Sequence, residues 1–229
     1  MSDHQFKIKK GTFTIPILAL LSIWLVYTIE IGFGFNFNKF GIYPKTIVGL
    51  RGILFSPFIH SDIKHIVSNS VPLFVMLGSL YFFYHKIAHK VLIFGIIVSG
   101  LLTWLIARPA NHIGASGVIY FLVSFIFFSG ILRKYYRLIA LSLTVVFLYG
   151  SMIWYVLPVE ERISWEGHLA GFLTGIVFSV LFKKVGPQPE SFEFTPNEEF
   201  EILFDDEGNF NPPEEEINED ENKEIESLN

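Results

Sequence analysis

The chain has 229 residues, of which 51% are hydrophobic, and phenylalanine alone occurs 25 times. It contains no cysteine, which excludes disulfides, thiolate chemistry and zinc–sulfur sites. The formal net charge of −5 combines two unlike parts, since residues 1–189 hold 16 Lys/Arg against 6 Asp/Glu whereas residues 190–229 hold 1 Lys against 16 Asp/Glu.

Long apolar runs predict a helical membrane protein. Runs of about 18 or more nearly uncharged residues can cross a hydrocarbon layer of about 30 Å. Backbone in lipid must form helices or closed barrels, and the runs are continuous rather than alternating, which excludes a barrel. We predict an all-α polytopic fold with helices at about 12–30, 65–84, 90–106, 116–132, 138–157 and 166–182.

The first apolar run is too long for a cleavable signal core and lacks an Ala-x-Ala-like exit. Lysines at positions 7, 9 and 10 precede it and favour a cytoplasmic N-terminus over residues 1–11. Six crossings over residues 12–186 then place both termini inside. The other predicted inner segments are also basic, with Lys86, Lys90, Arg133, Lys134, Arg137, Lys183 and Lys184. We expect an integral protein of a bacterial inner membrane.

Residues 187–229 are predicted to be a separate, acidic cytoplasmic tail. Its charge runs, such as PPEEEINEDENKE, bury nothing and repel themselves, so we predict that the tail is mostly disordered. The simplest interpretation is a solvated terminus, and the alternative is a docking or regulatory tail. Apolar residues interrupt the acidic run in EFEILFDDEGNF, which could be a short binding element.

Three groups of polar residues occur where apolar helices begin. His65 and Asn69 are four apart and share one face of the second helix. Ser116 begins the fourth helix, and His168 begins the sixth. These three helices run in the same direction, so the polar groups all lie at the external side of the membrane. Polar residues in membrane helices are costly and usually functional.

A stripe of small residues follows His168. Glycines recur every fourth residue at Gly167, Gly171 and Gly175, a spacing that lets another helix approach closely. If the partner is the fourth helix, Ser116 and His168 meet. The GASG sequence around Ser116 could also be only a packing motif.

A serine hydroxyl becomes a nucleophile when a base removes its proton, and histidine is the usual base. The glycines beside Ser116 leave the hydroxyl and backbone N–H groups accessible, and a helix N-terminus adds unpaired donors. His65 and Asn69 could stabilise an oxyanion. Glu166 more simply favours the helix N-terminus, which leaves a Ser–His dyad.

The sequence resembles the rhomboid family of intramembrane serine proteases over about residues 12–183. The resemblance rests on His60, His65 and Asn69, on GASGVIY from Gly114 to Tyr120, and on GHLAGFLTG from Gly167 to Gly175. It implies a six-helix rhomboid-like bundle. It also implies the following roles: Ser116 as nucleophile, His168 as base, an oxyanion site from His65, Asn69 and Ser116, and supporting positions at His60, Gly114, Gly117, Tyr120, Gly171 and Gly175.

Other conspicuous residues have simpler interpretations. Some bacterial members of that family carry a Trp-Arg pair in the first outer loop, but here Arg51 has no adjacent tryptophan. His112 could bind substrate backbone or lipid headgroups, or be an ordinary loop residue. His85 and His89 are four apart, but they lack the glutamate of a zinc motif and fall in a basic inner segment.

We therefore expect a serine endopeptidase that cleaves single-span or polytopic membrane proteins near the outer face. We expect it to lie in the lipid bilayer and to use no cofactor, no metal and no nucleic acid. The sequence does not fix the oligomeric state, and a monomer is one possibility. The main alternative is an inactive relative that binds transmembrane segments. A transporter or channel would spread polar groups across the membrane, and a metal-dependent protease using His60, His65, His112 and His168 would need a carboxylate motif.

Overall fold

The computed structural model describes residues 8–148, 154–160, 163–185 and 198–211. The chain consists of two compact units, the first ending at Pro189 and the second beginning at Glu190. Within these residues the first unit is helical, apart from an isolated backbone bridge between Ile42 and His112. Its main helices are α1 (Gly11–Phe33), α2 (Ile63–Phe83), α3 (Ala88–Ile106), α4 (Ser116–Arg133), α5 (Tyr136–Leu148) and α6 (Trp165–Leu181).

Four of these helices, α1 to α4, are long and apolar enough to cross a membrane. The described part of α5 has 13 residues and α6 has 17, so both are shorter. Large apolar side chains of α1 are exposed, among them Leu21 and Leu25. An apolar surface of this kind fits a lipid environment and not water.

The sequence predicted the helices well except at the end of the fifth. That helix was predicted to continue to residue 157, but Trp154–Val156 form a short 3₁₀ turn. Pro158 has no N–H group and disfavours a helical conformation at the preceding Leu157, which accounts for the error. Residues 149–153 of the predicted helix lie outside the described residues.

The segment between α1 and α2 consists of short helical turns. They are the 3₁₀ turns Asn38–Phe40, Val48–Arg51 and Ser56–Phe58, with an α-helical turn at Gly52–Phe55. Arg51 stabilises this segment from within, because its Nη2 donates to the carbonyl oxygen of Lys39 at 2.9 Å and its guanidinium lies 4.7 Å from the ring centre of Phe40. These contacts anchor the loop without the adjacent tryptophan.

Helix α4 is the centre of the bundle. It packs against α2, α3, α5 and α6, whereas α1 packs mainly on α2. The largest fully buried side chains include Phe121, Leu122, Phe125 and Ile126, all on α4. Because neighbouring helices cover most of α4, its sequence is largely apolar on every face, and its buried Ser124 and Ser129 hydroxyls form hydrogen bonds inside the bundle.

Glycines bring α6 into backbone contact with α4. A Cβ atom added at Gly171 would overlap the carbonyl oxygen of Gly117, and one at Gly175 would lie 2.6 Å from the carbonyl oxygen of Phe121. The Ser124 hydroxyl crosses the same contact and donates to the carbonyl oxygen of Phe172 at 2.7 Å. Gly171 and Gly175 therefore face α4, and any larger residue at either position would push the helices apart, whereas a Cβ atom at Gly167 would meet Ser164 and Thr103.

The second unit is described only over residues 198–211. A helical turn at Glu198–Glu201 leads into an antiparallel bridge between Phe204 and Phe210. The Asp205 carboxylate accepts hydrogen bonds from the backbone N–H groups of Glu207 and Asn209 at 3.0 and 2.8 Å. Residues 186–197 and 212–229 lie outside the described residues, so the predicted disorder of the tail stays a prediction.

We expect Gly171→Ala to destabilise the protein, because the added methyl group meets the backbone of α4, which cannot move aside. The expected loss is about 1–3 kcal/mol, as for other overpacked contacts, and it is measured as a lower melting temperature in detergent. Gly32→Ala is the matched control, since nothing lies within 4 Å of a Cβ atom at Gly32. Equal melting temperatures for the two variants would contradict the close α4–α6 contact.

Candidate active site

Ser116 is the first residue of α4 and follows a segment whose shape depends on Gly114. Gly114 has a φ of +105°, which L side chains rarely adopt. A Cβ atom there would also lie 2.6 Å from Nε2 of His65. The Gly114 N–H donates to the carbonyl oxygen of Ser56 at 2.9 Å. Both the backbone conformation and the space therefore require glycine immediately before the Ala115–Ser116 pair.

His168 lies in the first turn of α6 and contacts Ser116 directly. Its Nε2 atom lies 2.8 Å from Oγ of Ser116, and its Nδ1 atom lies 2.8 Å from the carbonyl oxygen of Tyr155. A carbonyl oxygen can only accept a hydrogen bond, so Nδ1 carries the ring proton of the neutral imidazole. Nε2 is then an acceptor directed at the serine hydroxyl, which is the tautomer that a general base needs.

Tyr120 fixes the plane of the His168 ring. It lies one turn after Ser116, and the two rings stack with their centres 4.2 Å apart and 11° between their planes. His168 is 6% exposed. Stacking on the ring face and hydrogen bonds at both nitrogens thus leave the imidazole a single orientation.

His65 and Asn69 lie on the face of α2 that meets Gly114. Nδ2 of Asn69 would be 3.7 Å from a Cβ atom at Gly114. This amide nitrogen is buried and has no hydrogen-bond partner among the described residues. A buried donor without an acceptor is unusual and costly. Its place beside the loop that carries Ser116 is where an acceptor on a bound molecule could satisfy it.

His60 is buried next to His65. The two rings meet edge to face, with centres 4.9 Å apart and 65° between their planes. Burial, together with the neighbouring His65, lowers the pKa of His60 to about 4. The imidazole is therefore neutral near pH 7 and contributes packing rather than charge to this side of the site.

A small cavity with both polar and apolar walls lies beside Ser116, with a volume of about 40 Å³. Its hydroxyl-bearing residues are Ser56, Ser99, Thr103, Ser116 and Ser164. A water molecule needs roughly 10–15 Å³ of such space and several polar partners. The cavity can therefore hold water next to the serine even though the surrounding helices are apolar.

An ion pair that the sequence did not predict joins the segment just after α3 to the first turn of α6. Oε1 of Glu166 accepts from the backbone N–H of Arg108 at 3.2 Å and from its Nη1 at 3.0 Å. Nη2 of Arg108 donates to the carbonyl oxygen of Ile163 at 2.8 Å. Glu166 lies in the first turn of α6, as predicted, but its 2% exposure makes the pairing with Arg108 necessary.

His112 completes this connection. Its Nδ1 lies 2.6 Å from Oγ of Ser164, and its Nε2 lies 3.0 Å from the carbonyl oxygen of Arg108. Its backbone pairs with Ile42, and burial lowers the pKa of its imidazole. Both ring nitrogens are occupied by the protein, so His112 holds the segment before Ser116 against the start of α6.

His85, between α2 and α3, and His89, in the first turn of α3, lie away from the site. His89 Nδ1 lies 2.7 Å from the hydroxyl of Tyr81 at the opposite end of the bundle. His85 is part of the same basic end, close to Lys86 and Lys9. In the part of the chain that the structure describes, no three His, Asp or Glu side chains converge as metal ligands.

Comparison with protein families identifies the family to which the chain belongs. Residues 49–185 match the rhomboid domain, a range that contains Ser116, His168, His65 and Asn69. The chain belongs to the rhomboid family. Rhomboid proteins are generally intramembrane serine proteases, and the match together with helices α1 to α4 indicates an integral membrane protein.

Mycobacterial proteins are similar to this rhomboid chain over most of its length. It is 33% identical over 182 residues to Uncharacterized protein Rv1337 of Mycobacterium tuberculosis (strain ATCC 25618 / H37Rv), which covers 75% of this chain and 74% of that protein. It is 36% identical over 186 residues to Uncharacterized protein ML1171 of Mycobacterium leprae (strain TN), which covers 75% and 70%.

We expect Glu166→Gln to lower the melting temperature of this rhomboid protein in detergent, because the amide cannot form the ion pair that the Glu166 carboxylate forms with Arg108. Arg108 is 37% exposed, so the loss should fall below the 3–5 kcal/mol of a fully buried pair, at about 1–2 kcal/mol. Glu160→Gln removes an exposed carboxylate and is the control. If Glu166→Gln melts at the same temperature as the parent, the ion pair does not stabilise the protein.

Proposed function

We propose that this protein is an intramembrane serine endopeptidase that hydrolyses peptide bonds of transmembrane substrates near the outer membrane face. The observation that carries the proposal is the 2.8 Å contact between Nε2 of His168 and Oγ of Ser116, with the Tyr155 carbonyl fixing the proton on Nδ1. Membership of the rhomboid family and the position of the pair at the ends of apolar helices support the same conclusion.

The proposed reaction begins with proton transfer from Ser116 to Nε2 of His168 as Oγ attacks the substrate carbonyl carbon. The tetrahedral intermediate collapses, the C–N bond breaks, and His168 returns the proton to the leaving amine. Water from the cavity beside Ser116 then attacks the acyl carbonyl carbon while His168 accepts a proton from it. The C–O bond to Ser116 breaks, His168 returns the proton to Oγ, and the new carboxyl group is released. No carboxylate takes part in proton transfer.

The proposed oxyanion site consists of the Ser116 backbone N–H and the side chains of Asn69 and His65. Asn69 has the stronger support, because its Nδ2 is a donor without a partner. The Ser61 hydroxyl donates its proton to Asp62 at 2.7 Å and lies 3.3 Å from Nδ1 of His65. Because its own proton is already used, the hydroxyl can only accept a hydrogen bond from Nδ1 of His65. Nε2 of His65 can then donate only when the ring carries a second proton.

The substrate bond must reach this site as extended chain, since the amides of an intact helix are shielded by their own hydrogen bonds. We propose the membrane orientation that the basic residues favour, with both termini cytoplasmic and the Ser116 end outside. The six crossings that this orientation needs include the shorter helices α5 and α6. Gly171 and Gly175 let α6 pack directly on α4, which covers one face of this shorter helix.

We expect Ser116→Ala and His168→Ala each to abolish cleavage of a model single-span substrate by the purified protein, with a loss of about 10³-fold or more. Ser22→Ala on the exposed surface of α1 and His85→Ala at the opposite end are matched controls and should retain activity. Labelling of the parent, but not of Ser116→Ala, by a fluorophosphonate would identify the nucleophile independently of any substrate. A parent that binds several substrates and cleaves none would favour the inactive binding protein.

We expect Asn69→Ala to lower kcat by about 10²-fold while KM changes little, because the amide acts on the oxyanion and not on the bound substrate. Asn38→Ala, in the loop between α1 and α2, tests for a general effect of removing an asparagine. A rise in KM at constant kcat would instead assign Asn69 to substrate binding.

A further inference from the structure

A second cavity, with a volume of about 400 Å³, lies at the basic end of the bundle, away from Ser116. It is a groove between the start of α1, the second half of α2 and the start of α5. Residues that line it include Thr12, Phe13, Val75, Gly78, Phe82 and Arg137. The groove is open to the outside of the bundle, since Phe13 is 51% exposed.

The walls of this groove suit a hydrocarbon chain. Phenylalanine, valine and glycine of α2 and α1 form most of its surface, and the one serine of α2 that lines it, Ser79, already donates to the carbonyl oxygen of Val75 at 2.7 Å. Along α2 the lining runs from Phe74 to Phe83, a rise of about 13 Å. This is close to half of the roughly 30 Å hydrocarbon thickness of a bilayer.

The end of the groove at the starts of α1 and α5 is positively charged. Arg137 lines it, and the cationic residues Lys9, Lys10, Lys86 and Lys134 lie at the same end of the bundle. The acidic residues described in this unit are Glu30, Asp62, Glu160 and Glu166, and all lie toward the Ser116 end. A negatively charged headgroup would therefore meet cations and no carboxylate among the described residues.

Thr12 adds an unused hydrogen-bond donor. Thr12 is 7% exposed, and its hydroxyl has no hydrogen-bond partner among the described residues. A buried hydroxyl in this state costs free energy that a ligand acceptor would recover. Thr12 and Arg137 both line the groove, so one phosphate group could accept from both.

We propose that this groove binds one anionic phospholipid, with its phosphate at Arg137 and Thr12 and an acyl chain along the α2 wall. The lipid comes from the leaflet at the basic end of the bundle. The inference depends on the protein lying in a membrane, and it is independent of the proposed hydrolysis at Ser116. A transmembrane helix of a substrate fits less well. A helix that crosses the membrane needs about 20 residues, whereas the groove extends over only one leaflet.

The test is native mass spectrometry of the full-length protein, delipidated in detergent and titrated with phosphatidylglycerol or phosphatidylcholine. We expect the parent to bind one molecule of phosphatidylglycerol and to bind it more tightly than phosphatidylcholine. Arg137→Gln should weaken that binding about tenfold, as loss of a charge-assisted contact predicts, and Thr12→Val should weaken it several-fold without changing side-chain volume. Val75→Trp should remove the binding by filling the groove.

Matched controls separate the groove from the general membrane surface. Lys183→Gln removes a cation at the same end outside the groove, and Val177→Trp adds the same bulk on an exposed face of α6; both should bind phosphatidylglycerol like the parent. Equal binding by Val75→Trp and Val177→Trp, or by both lipids, would overturn the proposal. So would a Val75→Trp variant that keeps its lipid but shows a raised KM for a membrane substrate, since the groove would then belong to the substrate.

Discussion

The direct backbone contact between α4 and α6 is the constraint on which the candidate site depends. Gly171 and Gly175 place their Cα atoms against backbone atoms of Gly117 and Phe121, with no layer of side chains between the helices. Ser116 and His168 each lie in the first turn of one of these helices. Backbone packing therefore sets how close the two residues lie, and the contacts of the His168 ring with Tyr120 and Tyr155 direct its Nε2 at Oγ of Ser116, 2.8 Å away.

The same helix pair is tied together at its other end. Arg133 at the end of α4 is 4% exposed. Its Nη2 donates to the carbonyl oxygen of Val185 at 2.7 Å and also contacts that of Phe182, both just beyond α6. A cation at a helix C-terminus is favourable because it meets unpaired carbonyl groups and the negative end of the dipole. With Glu166 and Arg108 holding the first turn of α6, the helix is fixed along its axis at both ends.

Part of this arrangement could be predicted from the sequence because its causes are local. Uninterrupted apolar runs predict the helices, the GASG and glycine-stripe motifs indicate where they approach, and Ser116 and His168 begin helices of the same direction. Contacts between distant segments could not be predicted in this way. The partners Arg108 and Glu166 are 58 positions apart, and the carbonyl that orients His168 belongs to Tyr155, in a segment predicted to be regular helix. A backbone carbonyl carries no sequence signal.

The Tyr155 carbonyl also explains why a site of two residues, Ser116 and His168, without a carboxylate is physically reasonable here. A carboxylate in place of the Tyr155 carbonyl would have to be buried beside an imidazole that is neutral in the resting state, and an uncompensated buried charge costs several kcal/mol. The nearby Glu166 is accommodated only because Arg108 neutralises it. A carbonyl group fixes the same tautomer through one hydrogen bond without bringing a charge into an apolar helix bundle. The low polarity that disfavours a third, acidic member therefore favours a neutral, oriented imidazole at His168, which the proposed dyad requires.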